Sequence, residues 1–161
     1  MLVRYGNTKL LVTGAAEWES DSRCQAAIPR MLARYASGDL MDIDIYKVGH
    51  HGSRNATNTA YLRELTPRIS LISAGHHTDR NADNLPFTAF HYGHPRKDAV
   101  DQIIAATTGS RPAKQGYVLD RVRGNPININ LTKAIYCTCW DGDIVIPTNS
   151  SGSLLPVQVS N

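Results

Sequence analysis

The sequence predicts one α/β domain, and three observations carry that reading. Short alternating apolar runs, read as strands, are interleaved with stretches of helical periodicity. The element order is strand, strand, helix, strand, helix, strand, helix, strand, strand. The chain has 161 residues, of which 42% are hydrophobic and 19% charged, enough for one domain with one sizeable core.

The elements follow in order. Leu2-Val3-Arg4-Tyr5 and Thr8-Lys9-Leu10-Leu11-Val12 flank Gly6-Asn7 and read as a hairpin with a tight turn. A chain that opens inside a sheet, with no lead-in, is expected to be a truncated one. From Glu17 to about Tyr35 the period is helical, with Ala26, Ala27, Met31 and Leu32 on one side. Pro29 within that span predicts a kink, or a second short helix that it opens. Residues 43–48 form the next strand, and 57–65 a short helix with Tyr61, Leu62 and Leu65 as its apolar positions. Ser53 is a candidate cap for that helix.

Residues 69–73 are a further strand. The segment 75–93 is polar and irregular, the kind of long loop that is usually functional or mobile. Its histidines His76, His77 and His91 read as surface residues. Residues 95–106 form a helix opened by Pro95, with Val100, Ile103 and Ile104 inward. The stretch 107–132 shows no clear periodicity. Residues 133–139 and 144–146 are expected to pair across Asp141-Gly142, with Asp141 and Asp143 as turn chemistry. The Ser-rich segment 149–161 reads as a flexible tail.

Composition narrows the function. A net charge of +3, without a lysine or arginine block, gives no argument for nucleic acid. No apolar run reaches membrane-spanning length, and no secretion signal opens the chain. The three cysteines Cys24, Cys137 and Cys139 are odd in number and read as buried thiols of a reducing compartment, so a cytoplasmic location is expected. A metal role for Cys137-Thr138-Cys139 is the weaker alternative. Asn-x-Ser/Thr triplets at Asn55, Asn130 and Asn149 are assigned no glycans.

The chemistry concentrates in Lys47-Val48-Gly49-His50-His51-Gly52-Ser53-Arg54-Asn55. Two imidazoles follow a strand's C-terminal end on a glycine-flanked loop, where α/β proteins keep ligands. Neutral imidazole serves as a metal ligand or as a general acid or base. This stretch resembles the "K-V-x-H-H-G-S-x-N" signature of metallo-β-lactamase-fold proteins of the ComEC competence type. Leu11-Val12-Thr13-Gly14-Ala15-Ala16-Glu17 is similar to that family's "L-L-T-G-D-A-E". Residues 67–75 resemble its next strand, Tyr92-Gly93-His94-Pro95 its "Y-G-H-P" helix start, and 141–146 its closing hairpin. The resemblance covers roughly Leu2 to Thr148, with a gap near 107–132 that reads as an insertion.

What the resemblance implies is written here as expectation. The fold would be the C-terminal half, residues 1–148, of an αββα sandwich: a mixed sheet with helices on one face. The first half would carry a His-x-His-x-Asp-His loop with most of the metal ligands, and no such spacing exists in this chain. The activity implied is hydrolysis of a phosphoester or nucleic acid with zinc or another divalent metal. His50 and His51 are the metal candidates, His50 being the preferred one, and His94 the candidate catalytic rim residue. Nucleic acid enters as a partner only through the resemblance.

The family's bridging aspartate falls on Ala15, which has no ligand atom; Glu17 stands two residues on. The chain alone is therefore expected to hold metal weakly or not at all. The alternative is a metal-free, non-catalytic structural or interaction module. The strands carry apolar residues such as Leu10, Val12, Ile43, Ile45, Ile69, Leu71, Ile144 and Ile146, and one side of the sheet left in water would expose an apolar patch. It is expected to pair with a second copy, or with the missing half-domain. The other possibility is that residues 107–132 fold over it.

Overall fold

In a computed structural model, residues 1–18, 26–35, 38, 40–85, 89–122 and 124–161 are described. Cys24 and the segment that would begin the first helix, from Glu19 to Gln25, lie outside them. The chain is a mixed α/β fold. Its main sheet has five strands in the order β1 (Leu2–Tyr5), β2 (Thr8–Val12), β3 (Ile45–Lys47), β4 (Ile69–Ile72) and β7 (Ile135–Cys137). β1 and β2 form the expected antiparallel hairpin, and β2, β3, β4 and β7 are mutually parallel.

Strand periodicity sorts the sheet into two faces. The register aligns Leu11, Tyr46, Ser70 and Ile135 on one of them. On this face α1 (Ala27–Tyr35), α2 (Thr59–Leu65) and α3 (Lys97–Ala106) bury Ile28, Tyr61, Leu62, Leu65, Val100 and Ile103 in one apolar cluster with the strands. Pro29 stands in the first turn of α1, where its missing N–H has no helical partner to lose. One polar pair crosses the layer: Ser70 and Thr107 are buried and hydrogen-bond each other at 2.8 Å. Asn58, not Ser53, caps α2, its side chain accepting from the Ala60 N–H at 2.8 Å. The Ser53 hydroxyl instead donates to Oδ1 of Asn55.

The region after α3 differs most from expectation. Residues 107–132 are not irregular: β5 (Ser110–Val118) and β6 (Ile127–Lys133) form a long antiparallel hairpin. Ile127, Ile129 and Leu131 alternate there with Asn128, Asn130 and Thr132, a period of two. Val118, Leu119 and Leu131 are buried, and Gly116 passes so close to Leu131 and Trp140 that a Cβ would lie 2.9 Å from the Leu131 methyl. The expected hairpin of 133–139 with 144–146 is also corrected. β7 runs parallel to β4, and a helical turn, α4 (Thr138–Asp141), follows it. β8 (Ile144–Val145) pairs with β9 (Gln158–Val159) instead. The parallel sheet accepts β7 because Ile135 and Cys137 are both wholly buried in the helix-side core.

The chain after Asn149 is likewise held rather than loose. Gly152 packs on the Tyr5–Gly6 turn, and Thr8 donates its hydroxyl to the Gly152 carbonyl. This C-terminal segment lies on the second face of the sheet: Ile144, Ile146, Leu154 and Val157 pack on Ile69, Ala134 and Tyr136. The face expected to be bare is thus partly covered, mainly by the C-terminal segment, with Arg111 of the 107–132 stretch over the Tyr136 ring. Val3 and Tyr5 remain exposed beside Leu10 and Val12.

Asp141, expected as a turn residue, is wholly buried. Its carboxylate takes two hydrogen bonds from Arg111, at 2.6 and 2.9 Å, and one from the Cys137 N–H at 3.0 Å. Arg111 is itself buried and lies over the Tyr136 ring at 4.1 Å. Cys137 and Cys139, expected as thiols, are buried and bonded to each other, because the turn into α4 brings their Cα atoms to 5.1 Å. The Arg111–Asp141 pair is expected to fix the β5–β7–α4 junction. Asp141→Asn keeps the shape but leaves the guanidinium uncompensated, and should cost about 3–5 kcal/mol in chemical denaturation. A loss under about 1 kcal/mol would show that the pair carries little of the stability.

Candidate functional site

The site begins where β3 ends. Val48 is fixed by its N–H to the Leu71 carbonyl, 2.8 Å, and the chain then turns through Gly49-His50-His51-Gly52. His50 (φ 44°, ψ 47°) and His51 (φ 56°, ψ 25°) both adopt left-handed backbone conformations. Such positions cost about 1 kcal/mol or more each for a residue with a Cβ, and persist only where the surroundings impose them. Here the surroundings do. The His50 N–H donates to the Gly14 carbonyl at 2.8 Å, and the Ser53 N–H to the His50 carbonyl at 3.0 Å. The Arg96 N–H takes the Gly52 carbonyl at 2.9 Å. Gly52 (φ 79°) must be glycine for a second reason: a Cβ would stand 3.0 Å from that of Pro95.

The loop delivers both imidazoles, with His94, to one open pocket of about 550 Å³ that Ala89 and Tyr92 complete. The His50 ring lies 5.2 Å from that of His94 and 6.3 Å from that of His51, centroid to centroid. Nδ1 of His51 donates to the Ser73 carbonyl. Nδ1 of His50 is buried with Oε1 of Glu17 at 3.2 Å, an approach too bent for a regular hydrogen bond but favourable for a proton on that nitrogen. The Ser73 carbonyl fixes the proton of neutral His51 on Nδ1, leaving Nε2 as its lone pair, and the Glu17 carboxylate favours the same tautomer at His50. Carbonyl or carboxylate support of this kind is how proteins orient imidazoles for coordination or proton transfer.

His94 differs. Its Nδ1 is buried without a partner. Burial, then the nearby His50, His51 and Arg96, push its pKa down to about 4, so the ring is neutral at pH 7.

The sequence singled out His50, His51 and His94, and the fold brings all three together. His76 and His77 stand elsewhere, packed on each other and on Tyr117, with His77 also against Phe90. Glu17 joins the site at Nδ1 of His50, and Arg54, Arg96 and Tyr92 join its rim. The arginines carried no motif signal and are found only from the folded chain.

A hydrolytic zinc site takes about three protein ligands. Among the described residues no three His, Cys, Asp or Glu side chains converge to hold an ion. The His50 N–H binds the carbonyl of Gly14, the residue before Ala15, and the alanine side chain has no ligand atom.

Over 69 residues, 43% of its length, the chain is 31% identical to ComE operon protein 3 of Bacillus subtilis strain 168. That stretch is 8% of the B. subtilis protein, so this chain corresponds to a small part of it. No family model and no solved structure matches the chain. Among the described residues, no helix is long and apolar enough to cross a membrane.

The depressed His94 gives a pH expectation with a definite sign. A histidine whose folded pKa lies below its unfolded value of about 6.5 binds more protons unfolded than folded. Its contribution is therefore fully present above pH 6.5 and lost as pH falls toward 4. His94→Gln should flatten the stability curve across that window in denaturation experiments. A curve of unchanged slope would show that His94 titrates normally.

Proposed function

We propose that this chain carries one half of a metallo-β-lactamase-type hydrolytic site, for phosphoester or nucleic-acid-type substrates, in a form that lacks the ligands of a tightly held metal. The observation that carries the reading is the His50–His51 loop, with Nδ1 of His51 bonded to the Ser73 carbonyl, Nδ1 of His50 beside Glu17, and both rings on one pocket. His50 and His51 are its metal-side residues. His94, neutral at pH 7, is the rim residue toward substrate. The order of motifs, from the Thr13-Gly14 turn to the Tyr92-Gly93-His94-Pro95 segment, supports the family assignment. So does the similarity to ComE operon protein 3. The contact of His50 with the Gly14 carbonyl supports reading position 15 as the place of the family's bridging carboxylate.

A second reading is favoured by Ala15 and by the absence of a three-ligand set among the described residues. In it the chain is a metal-free interaction module. The strip of Val3, Tyr5, Leu10 and Val12 left uncovered on the sheet would then meet a second copy or a complementary half-domain.

Zinc titration separates the two. The unmodified chain is expected to bind zinc weakly. Ala15→Asp should tighten binding by about tenfold or more, since a hard oxygen ligand would stand beside His50. Adding His50→Ala should cancel the gain. Equal zinc binding with and without the carboxylate would favour the interaction module. One tightly held zinc in the unmodified chain would overturn the placement of the ligands.

A further inference from the structure

Beside the imidazole pocket is a second opening of about 420 Å³, lined by His50, Arg54, Asn55, Tyr92, His94, Arg96 and Val122. Its polar lining is dominated by donors. Arg54 and Arg96 share one counter-ion, Asp98, with Nε–O separations of 3.8 and 3.6 Å. Both are too long for hydrogen bonds. Oδ1 of Asp98 already accepts the Ala99 N–H at 2.9 Å. Two guanidinium groups over one carboxylate leave one positive charge, and Nε of Arg96 is buried with no hydrogen-bond partner. Asn55 lines the opening, and with its Oδ1 accepting from Ser53 its amide NH₂ is a further donor there.

Tyr92 lines this opening and the imidazole pocket alike, and its side chain is 67% exposed. Its ring meets that of His91 edge to face at 5.2 Å, and an exposed aromatic face beside a pocket can stack on a flat ligand. A phosphate-sized cluster of donors beside an open aromatic ring has the composition of a nucleotide-binding surface.

We propose that Arg54, Arg96 and Asn55 seat the phosphate of a nucleotide unit whose base stacks on Tyr92. This deepens the hydrolase reading, on which it rests for the placement of substrate: the phosphate would lie at the rim beside His94, and the unit recognised would be a nucleotide rather than a simple phosphomonoester. Arg96, held by the fold, sets the phosphate position, and the exposed Arg54 closes over it.

The test uses the metal-free protein in a chelator, so that binding is read apart from hydrolysis. Adenosine 5′-monophosphate, ribose 5-phosphate and inorganic phosphate are titrated by NMR or calorimetry. Adenosine 5′-monophosphate should bind several-fold tighter than ribose 5-phosphate. Tyr92→Ala should remove that difference without weakening ribose 5-phosphate. Arg96→Gln should weaken both by about tenfold or more. Arg54→Gln, at an exposed position where folding is not at stake, should weaken both by a smaller factor. The proposal is overturned if no ligand saturates the protein, if the two sugar phosphates bind alike, or if Arg54→Gln and Arg96→Gln both bind as the unmodified chain. Nucleotide binding that behaves as stated while Ala15→Asp leaves zinc affinity unchanged would keep this subsite and reject the hydrolase reading.

Discussion

The constraint on which the site depends is the left-handed turn at the end of β3. Two consecutive histidines adopt a backbone conformation that side chains disfavour, and neither supplies the reason by itself. Contacts from three separate segments do. The Gly14 turn holds the His50 N–H, the helix start at Arg96 holds the Gly52 carbonyl, and β4 holds Val48 and continues to the Ser73 carbonyl that orients His51. The order of the parallel strands makes this possible. β2 and β4 flank β3 on either side, so the loops that follow them flank the His50–His51 loop.

The rest of the fold keeps those segments in place. Helix packing fills one face with Tyr46, Tyr61, Val100 and Ile103, and the C-terminal segment covers part of the other. The buried Arg111–Asp141 pair ties the β5–β6 hairpin to β7 and α4. That hairpin in turn pairs Leu119 with Arg96, through the Lys97 N–H to Leu119 carbonyl bond of 2.8 Å, at the start of α3. A stability element on the far edge of the sheet is thereby connected to the rim that carries His94 and Arg96.

Much of this was legible in the sequence where local pattern and tertiary role agree. The β1–β2 hairpin, the strand before His50 and the helices at 59–65 and 97–106 all announce themselves by period and turn residues. The β5–β6 hairpin was also written in its sequence, by Ile127, Ile129 and Leu131, but Pro112, Gly116 and Gly124 obscured it. Asp141-Gly142 misled because a good turn dipeptide ended a helical turn rather than a hairpin; only the buried Arg111, 30 residues away, explains that aspartate. The histidines of the site were legible through their spacing on a glycine-flanked loop. Tyr92 was legible as part of the Tyr92-Gly93-His94-Pro95 motif, but Arg54 and Arg96 were not, since a single arginine has no local signature and acquires meaning only from what the fold sets beside it.

The most direct test of the central claim is the tautomeric state of His50 and His51 by ¹⁵N NMR of the imidazoles, at a pH where both are neutral. If the loop orients the rings as described, both should be protonated at Nδ1, with Nε2 bare toward the pocket. A predominance of the Nε2–H form at both rings, the form that unconstrained histidine prefers, would contradict it.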